Sequence, residues 1–265
     1  GLELRFGDAD LMIQLLEMMA RREGFGDLLA EGVARLAQKW GVADQPYHLS
    51  VKGQELPMHG PRVKVGVGMG YAISTYGADH MYAPHDPFFV DENSFMFQSV
   101  KPLGIYKPMH PTEITVEKVR TYALVDTLWK MQDALGLCVF GYAPRGTTTL
   151  DLMVRCLNAI TGWNASLFEL MKAAERGTML ARAFNSREGF TIKDDRLPGR
   201  LFDPKPDGPE SGKRIFAQED FDKAIELLYE IIGCDSETGR PHRGKLLELG
   251  LQWVDDLLNE EPTGS

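Results

Sequence analysis

Cysteine is scarce in this chain of 265 residues: Cys138, Cys156 and Cys234 are the whole set. An odd, widely spaced trio is no disulfide framework and fits a reducing compartment. No two of them form a CxxC pair, so no zinc or iron–sulfur site can be built from a local cysteine motif. Long apolar runs are missing too. Nothing approaches the ~18 residues that a membrane-spanning helix needs. Positive charge is in deficit, with Lys+Arg 29 against Asp+Glu 38 and a net charge of -9. That balance argues against a general nucleic-acid or anionic-membrane partner. Gly1 to Asp10 shows no basic stretch leading into an apolar one, so no secretory signal is expected and the expected location is cytoplasmic. The common catalytic templates GxSxG, HExxH and GxxxxGK do not occur, and no carboxylate pair stands out as a glycosidase couple.

What is present is an ordinary globular composition, 43% hydrophobic and 25% charged. The length suffices for one large domain or up to two ordinary ones, with a sizeable core. The first forty residues read as a helical hairpin. Asp8 is placed as an N-cap, with Leu11, Leu15, Met18 and Met19 following at helical spacing as core. Beyond Gly24 and Gly26, a second helix carries Leu29, Val33, Leu36 and Trp40 on one face and stops at Gly41.

The character changes between Asp44 and His110. A short strand fits around Ser50–Lys52. Gly66, Gly68 and Gly70 recur every second residue ahead of Tyr71, and read as a short helix packed closely on another backbone. This is no dinucleotide fingerprint, because no strand precedes it and GxGxxG is absent. Met81 to Pro111 holds five prolines and reads as an ordered loop, of the length that usually serves function or linkage. Helices return after Thr112: one capped by Thr115 and ending near Gly136, one over Thr149–Ile160, one capped by Ser166, then Glu219–Ile232 and Lys245–Leu258. The fold class is therefore mostly α, irregular and multi-helical, with few short strands.

Two places could carry chemistry. His80 follows Asp79 after a glycine-rich turn in polar surroundings, where an imidazole can donate, accept or ligate near neutral pH. His85 and Asp86 form a second polar pair nearby. Asp133-Ala-Leu-Gly-Leu-Cys138 ends a helix within an apolar stretch, where an unpaired carboxylate would be costly to bury. Taken alone, Asp133 reads as a partly exposed helix-end carboxylate and Cys138 as a buried small hydrophobe. Cys156 reads as core and Cys234 as incidental.

Several segments in order carry a family likeness: Leu4-Arg-Phe-Gly-Asp-Ala-Asp10, Val51-Lys-Gly-Gln-Glu-Leu-Pro57 with Gly66 to Tyr71 and His80, Asp133-Ala-Leu-Gly-Leu-Cys138, Phe184-Asn-Ser-Arg-Glu-Gly-Phe190 with Lys193-Asp-Asp-Arg-Leu-Pro198, and Glu237-Thr-Gly-Arg-Pro241 with Leu246 to Leu251. On these the chain resembles the C-terminal portion of tungsten-containing aldehyde ferredoxin oxidoreductases. The resemblance implies the end of helical domain 2 over residues 1–49 and helical domain 3 over 50–265. It implies a tungsten (or molybdenum) bis-pterin and a 4Fe–4S cluster in the full-length protein, with oxidation of an aldehyde to a carboxylic acid and ferredoxin as electron acceptor. His80 resembles the histidine near the metal. Asp133 would accept hydrogen bonds from a pterin nitrogen, Leu137 would give backbone contacts, and Cys138 would be the fourth cluster thiolate.

The upstream CxxCxxxC and first DxxGL motifs of the family are absent. The chain alone is therefore expected to bind neither cofactor, and its foremost partner is the missing N-terminal part. Tyr82 stands where aldehyde-oxidising relatives tend to carry a basic residue, which keeps the family's aromatic acyl-CoA reductase branch open. A stand-alone helical interaction module is the alternative of another class. Two structural expectations follow: His80, Asp133 and Cys138 converge on one cavity or open face, and that face favours self-association.

Overall fold

The computed structural model describes residues 3–259. Helix accounts for 53% of the chain and the described strands are two residues each, so the mostly helical class holds. No helix among the described residues is long and apolar enough to cross a membrane.

The chain opens with α1 (Ala9–Arg21), whose first-turn Leu11 amide donates to the Asp8 side chain at 2.9 Å. The cap is where the sequence puts it, but the core assignment is not. Leu11, Leu15, Met18 and Met19 are only half-buried, and α1 contains no fully buried residue. The second helix is also corrected. It divides into α2 (Phe25–Leu29) and α3 (Val33–Lys39) at Gly32, whose φ of +79° breaks the helical path. The break resets the helical phase, so Val33 and Trp40 are exposed and Ala37 is buried in their place. A tight hairpin follows, β1 (Ser50–Val51) with antiparallel β2 (Gln54–Glu55).

The centre of the molecule is α4 (Val65–Ile73), every residue of which is buried. Its three glycines are there for close approach. A Cβ on Gly70 would lie 2.3 Å from the Ala83 Cβ and 2.9 Å from the Tyr122 hydroxyl. Completing the contact, Met69 and Tyr71 are fully buried, and each such side chain contributes roughly 1.5–3 kcal/mol. Both ends of α4 meet charge of the sign that a helix dipole favours. The Asp86 carboxylate accepts from the Gly66 and Val67 amides at 2.9 and 3.1 Å and pairs with Lys118 at 2.7 Å. At the other end, Lys52 donates to the Ala72 carbonyl at 2.9 Å and Arg182 to the Ile73 carbonyl at 2.8 Å. Both cations pair with the buried Asp195, which also accepts from the Tyr229 hydroxyl.

The proline-rich stretch is not all loop. It contains a 3-10 turn at Asp86–Phe89 and α5 (Phe95–Val100), with Ser94 capping the latter. Then come α6 (Val116–Ala134), α7 (Leu150–Thr161) and α8 (Leu167–Arg187), capped by Thr115, Thr149 and Ser166. The main core joins α4, the first half of α6, α8 and α9 (Gln218–Ile232). A second cluster lies between the Phe88–Met109 segment and α6, and a third between α6, α7 and α8. The last predicted helix is also two, α10 (Arg243–Glu248) and α11 (Gln252–Asn259), separated at Gly250 with φ +70°. Of the cysteines in this part of the fold, Cys156, read as core, differs from expectation. Cys156 is exposed, because it falls off the buried stripe of α7 set by Leu150 and Met153. Cys234 is buried, its sulfur 3.8 Å from that of Met179.

Candidate functional site

His80 sits on the segment that leaves the C-terminus of α4. Gly77 starts that turn with φ +120°, and a Cβ there would lie 2.6 Å from the Val51 carbonyl oxygen. Only glycine lets the chain pass so close beneath the hairpin. Asp79 then holds the turn from both carboxylate oxygens, accepting the Tyr76 hydroxyl at 2.9 Å and the Met81 amide at 2.7 Å. Burial and the bond to Asp79 push the Tyr76 hydroxyl well above its ordinary pKa, so Tyr76 stays a neutral donor.

The half-buried His80 ring stacks on His59, with centroids 4.5 Å apart and planes 26° apart. His85 stands edge-on to His59 at 5.1 Å, and its Nε2 lies 2.8 Å from the His80 carbonyl oxygen. A carbonyl only accepts, so His85 Nε2 carries the proton. Burial lowers the His85 pKa to about 4, which keeps this ring neutral. Nothing in the sequence singled out His59. The available signal was that three of the six histidines fall between residues 59 and 85. Asp86, paired in sequence with His85, belongs instead to the α4 N-terminus.

The same segment is tied to the second half of α6. Trp129 Nε1 donates to the Met81 carbonyl at 2.9 Å, and Lys130 Nζ to the Tyr82 carbonyl at 2.7 Å and to Asp126 at 2.7 Å. Burial lowers the Lys130 pKa and Asp126 opposes that shift. Asp133 lies one turn further on. The residue is exposed and its carboxylate has no hydrogen-bond or ion-pair partner among the described residues. Partial burial of the carboxyl raises its pKa, Lys130 opposes, and the nearby charges of Asp126 and Asp79 add to the rise.

Beyond α6, the half-buried Leu137 donates its amide to the Gln132 carbonyl at 2.9 Å. Cys138 follows as an exposed free thiol, not the buried small hydrophobe that its neighbours suggest. Arg145 bridges this loop to the His80 segment. Its guanidinium lies 4.0 Å from the Phe140 ring centroid and its Nη1 3.8 Å from the Met81 sulfur. The elements bearing His80, Asp133 and Cys138 are therefore packed together through Trp129, Lys130 and Arg145. The three side chains do not share the cavity of about 570 Å³ between α6, α8 and α9, whose wall includes Tyr82, Asp126, Lys130 and Arg182.

No group of three or more His, Cys, Asp or Glu side chains that could hold a metal ion occurs among the described residues. The histidine trio is accordingly a ring stack and not a metal centre. For an organic ring with N–H donors, Asp133 offers a carboxylate that the protein leaves unpaired, which fits a pterin edge. For a cubane, the chain offers the exposed thiol of Cys138 as one ligand, Cys156 being the other exposed cysteine and lying on α7. The remaining ligands must come from outside the described residues.

Residues 1–251 match the family described as "Aldehyde ferredoxin oxidoreductase, domains 2 & 3". The chain belongs to the aldehyde ferredoxin oxidoreductase family. It is 36% identical over 250 residues to the tungsten-containing aldehyde ferredoxin oxidoreductase of Pyrococcus horikoshii, covering 94% of this chain and 38% of the relative. The corresponding protein of Pyrococcus furiosus is 32% identical over 249 residues, covering 93% and 38%. A second P. furiosus protein, an aliphatic sulfonate oxidoreductase WOR-like subunit, is 28% identical over 263 residues, covering 95% and 36%. The chain thus spans under two fifths of the length of these aldehyde ferredoxin oxidoreductase family relatives. Among solved structures, the active site complex BamBC of benzoyl coenzyme A reductase superposes with a TM-score of 0.69 at 24% identity, covering 96% of this chain and 40% of that one. That likeness shows a shared fold.

Proposed function

We propose that this chain is the helical C-terminal part of an oxidoreductase that converts an aldehyde and water to a carboxylic acid. Two protons and two electrons are released, and the electrons pass one at a time to ferredoxin. The proposed division is the end of one helical domain over residues 1–49 and a second over 50–265. The observation that carries the reading is a histidine held by other side chains, on a segment tied by Trp129 and Lys130 to the helix that ends in a carboxylate the protein leaves free. His80 has its backbone fixed by His85 and its ring backed by His59, while Asp133 has no partner of its own.

The tungsten (or molybdenum) bis-pterin would supply the two-electron chemistry when bound, and the protein's part is binding, orientation and proton handling. His80 presents an imidazole that donates to the reacting oxygen and takes up a proton as the acid forms, a role its type suits near neutral pH. Asp133 accepts from ring N–H groups of the pterin, and Leu137 contributes backbone contacts. The Cys138 thiolate is the fourth ligand of a 4Fe–4S cluster whose other three come from the N-terminal part of the protein. The test uses the longer protein loaded with cofactor. His80→Gln should lower kcat for aldehyde-dependent ferredoxin reduction by about 100-fold or more, with two electrons counted per aldehyde consumed. Turnover unaffected by the substitution, or electrons flowing only towards an aromatic acyl-CoA ester, would sink the reading.

A further inference from the structure

Three histidine rings meet, those of His59, His80 and His85, and the proposed reaction uses one of them. His59 is built into the fold from behind: the Tyr71 hydroxyl, on the fully buried α4, donates to the His59 backbone carbonyl at 3.0 Å. Its ring offers one face to His80 at 4.5 Å and meets His85 edge-on at 5.1 Å. His85 is itself backed by Phe88 at 5.8 Å, and Phe88 by the buried Trp129 at 6.2 Å. The His80 ring is thus the outermost member of a layered series that reaches into the second core cluster.

We propose that His59 is the positioning residue for His80, the two stacked imidazoles acting as one unit that accepts a single proton. This rests on the reading of His80 as the group that moves the proton. Two facing imidazolium rings repel, so a proton on either ring disfavours one on the other. Burial lowers the His59 pKa, and the charges of His80, Lys64 and Arg145 lower it further. The charged and titratable groups around the pair are Lys64 ahead of α4, Arg145 from the loop after α6 and the neutral His85, with Asp79 next to His80 in the chain. In the unit, His59 fixes the plane of the His80 ring and limits the pair to one charge.

The pair can be tested without any cofactor, by NMR of the chain with carbon-13-labelled histidine. With His59→Ala the His80 ring resonances should move and broaden, because the stacked face is gone. His59→Gln should behave the same way, whereas His59→Phe should keep them near their original positions. In the converse variant, His80→Phe, His59 should bind its proton about threefold or more tightly. The Tyr71 bond is to backbone and survives each change, and the remaining resonances report an intact fold. His80 resonances unmoved by His59→Ala, or a His59 titration indifferent to His80→Phe, would overturn the proposal. In the longer loaded enzyme, His59→Ala should lower kcat about tenfold with KM little changed, and His59→Phe should restore it. Full turnover in His80→Gln would instead remove the functional reading and leave the NMR coupling standing.

Discussion

The two ends of α4 and the surface beyond its C-terminus treat charge in opposite ways. Around the helix, Asp86, Lys118, Lys52, Arg182 and Asp195 are all buried or nearly so, and each has a partner of opposite charge. Near the end of α6, Asp133 has none, and Cys138 in the loop that follows is a bare thiol. Burying a charge is costly unless it is paired and hydrogen-bonded, so the inner charges are held by structural need. The outer groups are hydrated at little cost to the fold, which leaves them available to something else. In this molecule the strongest ionic networks mark architecture, and the unpaired polar groups mark the candidate site.

The contrast is easiest to break at Asp86. Asp86→Ala would leave Lys118 buried without its counter-charge and two α4 amides without an acceptor. A loss of about 3–5 kcal/mol in urea unfolding is expected, with a much smaller loss when Lys118→Met is added. Equal losses in the single and double variants would show that the pair is not what holds α4.

A smaller effect is expected at His85, where the two regions meet. Its pKa of about 4 in the folded chain lies below the ordinary histidine value near 6.5, so the unfolded chain binds the proton more readily. Stability should therefore rise with pH between about 4 and 6.5, and fall as the pH is lowered through that window. Comparing urea midpoints at both pH values tests this, since His85→Phe should flatten its share of the slope.

The smallest effect belongs to Asp133. Its raised pKa means that the folded chain holds the proton more tightly than the unfolded one. Stability should accordingly decline slightly as pH rises from the ordinary carboxylate range through the raised value. Asp133→Asn should remove that decline and otherwise leave unfolding within about 0.5 kcal/mol of the parent. A large destabilisation would mean that Asp133 is structural after all, and the comparison would fail at its most useful point.

Local signals were legible in the sequence. Asp8, Thr115 and Ser166 cap the helices they were expected to cap, because a cap is a contact three residues long. The Gly66–Gly70 spacing announced a close approach, but not that Ala83 and Tyr122 were the surfaces approached. What escaped is what depends on distant chain. Lys52 and Asp195 lie far apart in sequence, and no periodicity brings them together. His59 carries no signal in the sequence because its neighbours Met58 and Gly60 form no motif, and its meaning comes from the His80 ring stacked on it. Cys156 reads as core on the apolar face of its helix, but the buried stripe of α7 is set by Leu150 and Met153 and leaves it exposed. At the site, the residues alone mark the Asp133–Cys138 segment as a place for chemistry, and only the family resemblance gives Asp133 and Cys138 distinct expected roles.

The stretch from Ser74 to His85 has a property beyond the residues it carries. It departs where Lys52 and Arg182 grip the last carbonyls of α4, and it returns where Asp86 grips the first amides of the same helix. Both ends of this twelve-residue span are anchored to one short, fully enclosed element. Gly77 and Ala83 are fixed by close packing, but the less buried residues between the anchors can change without disturbing either one, which makes the span a partly exchangeable cassette. Within such a frame, a difference such as Tyr82, in the wall of the cavity between α6, α8 and α9, can alter what that cavity accepts while the scaffold that presents it stays the same.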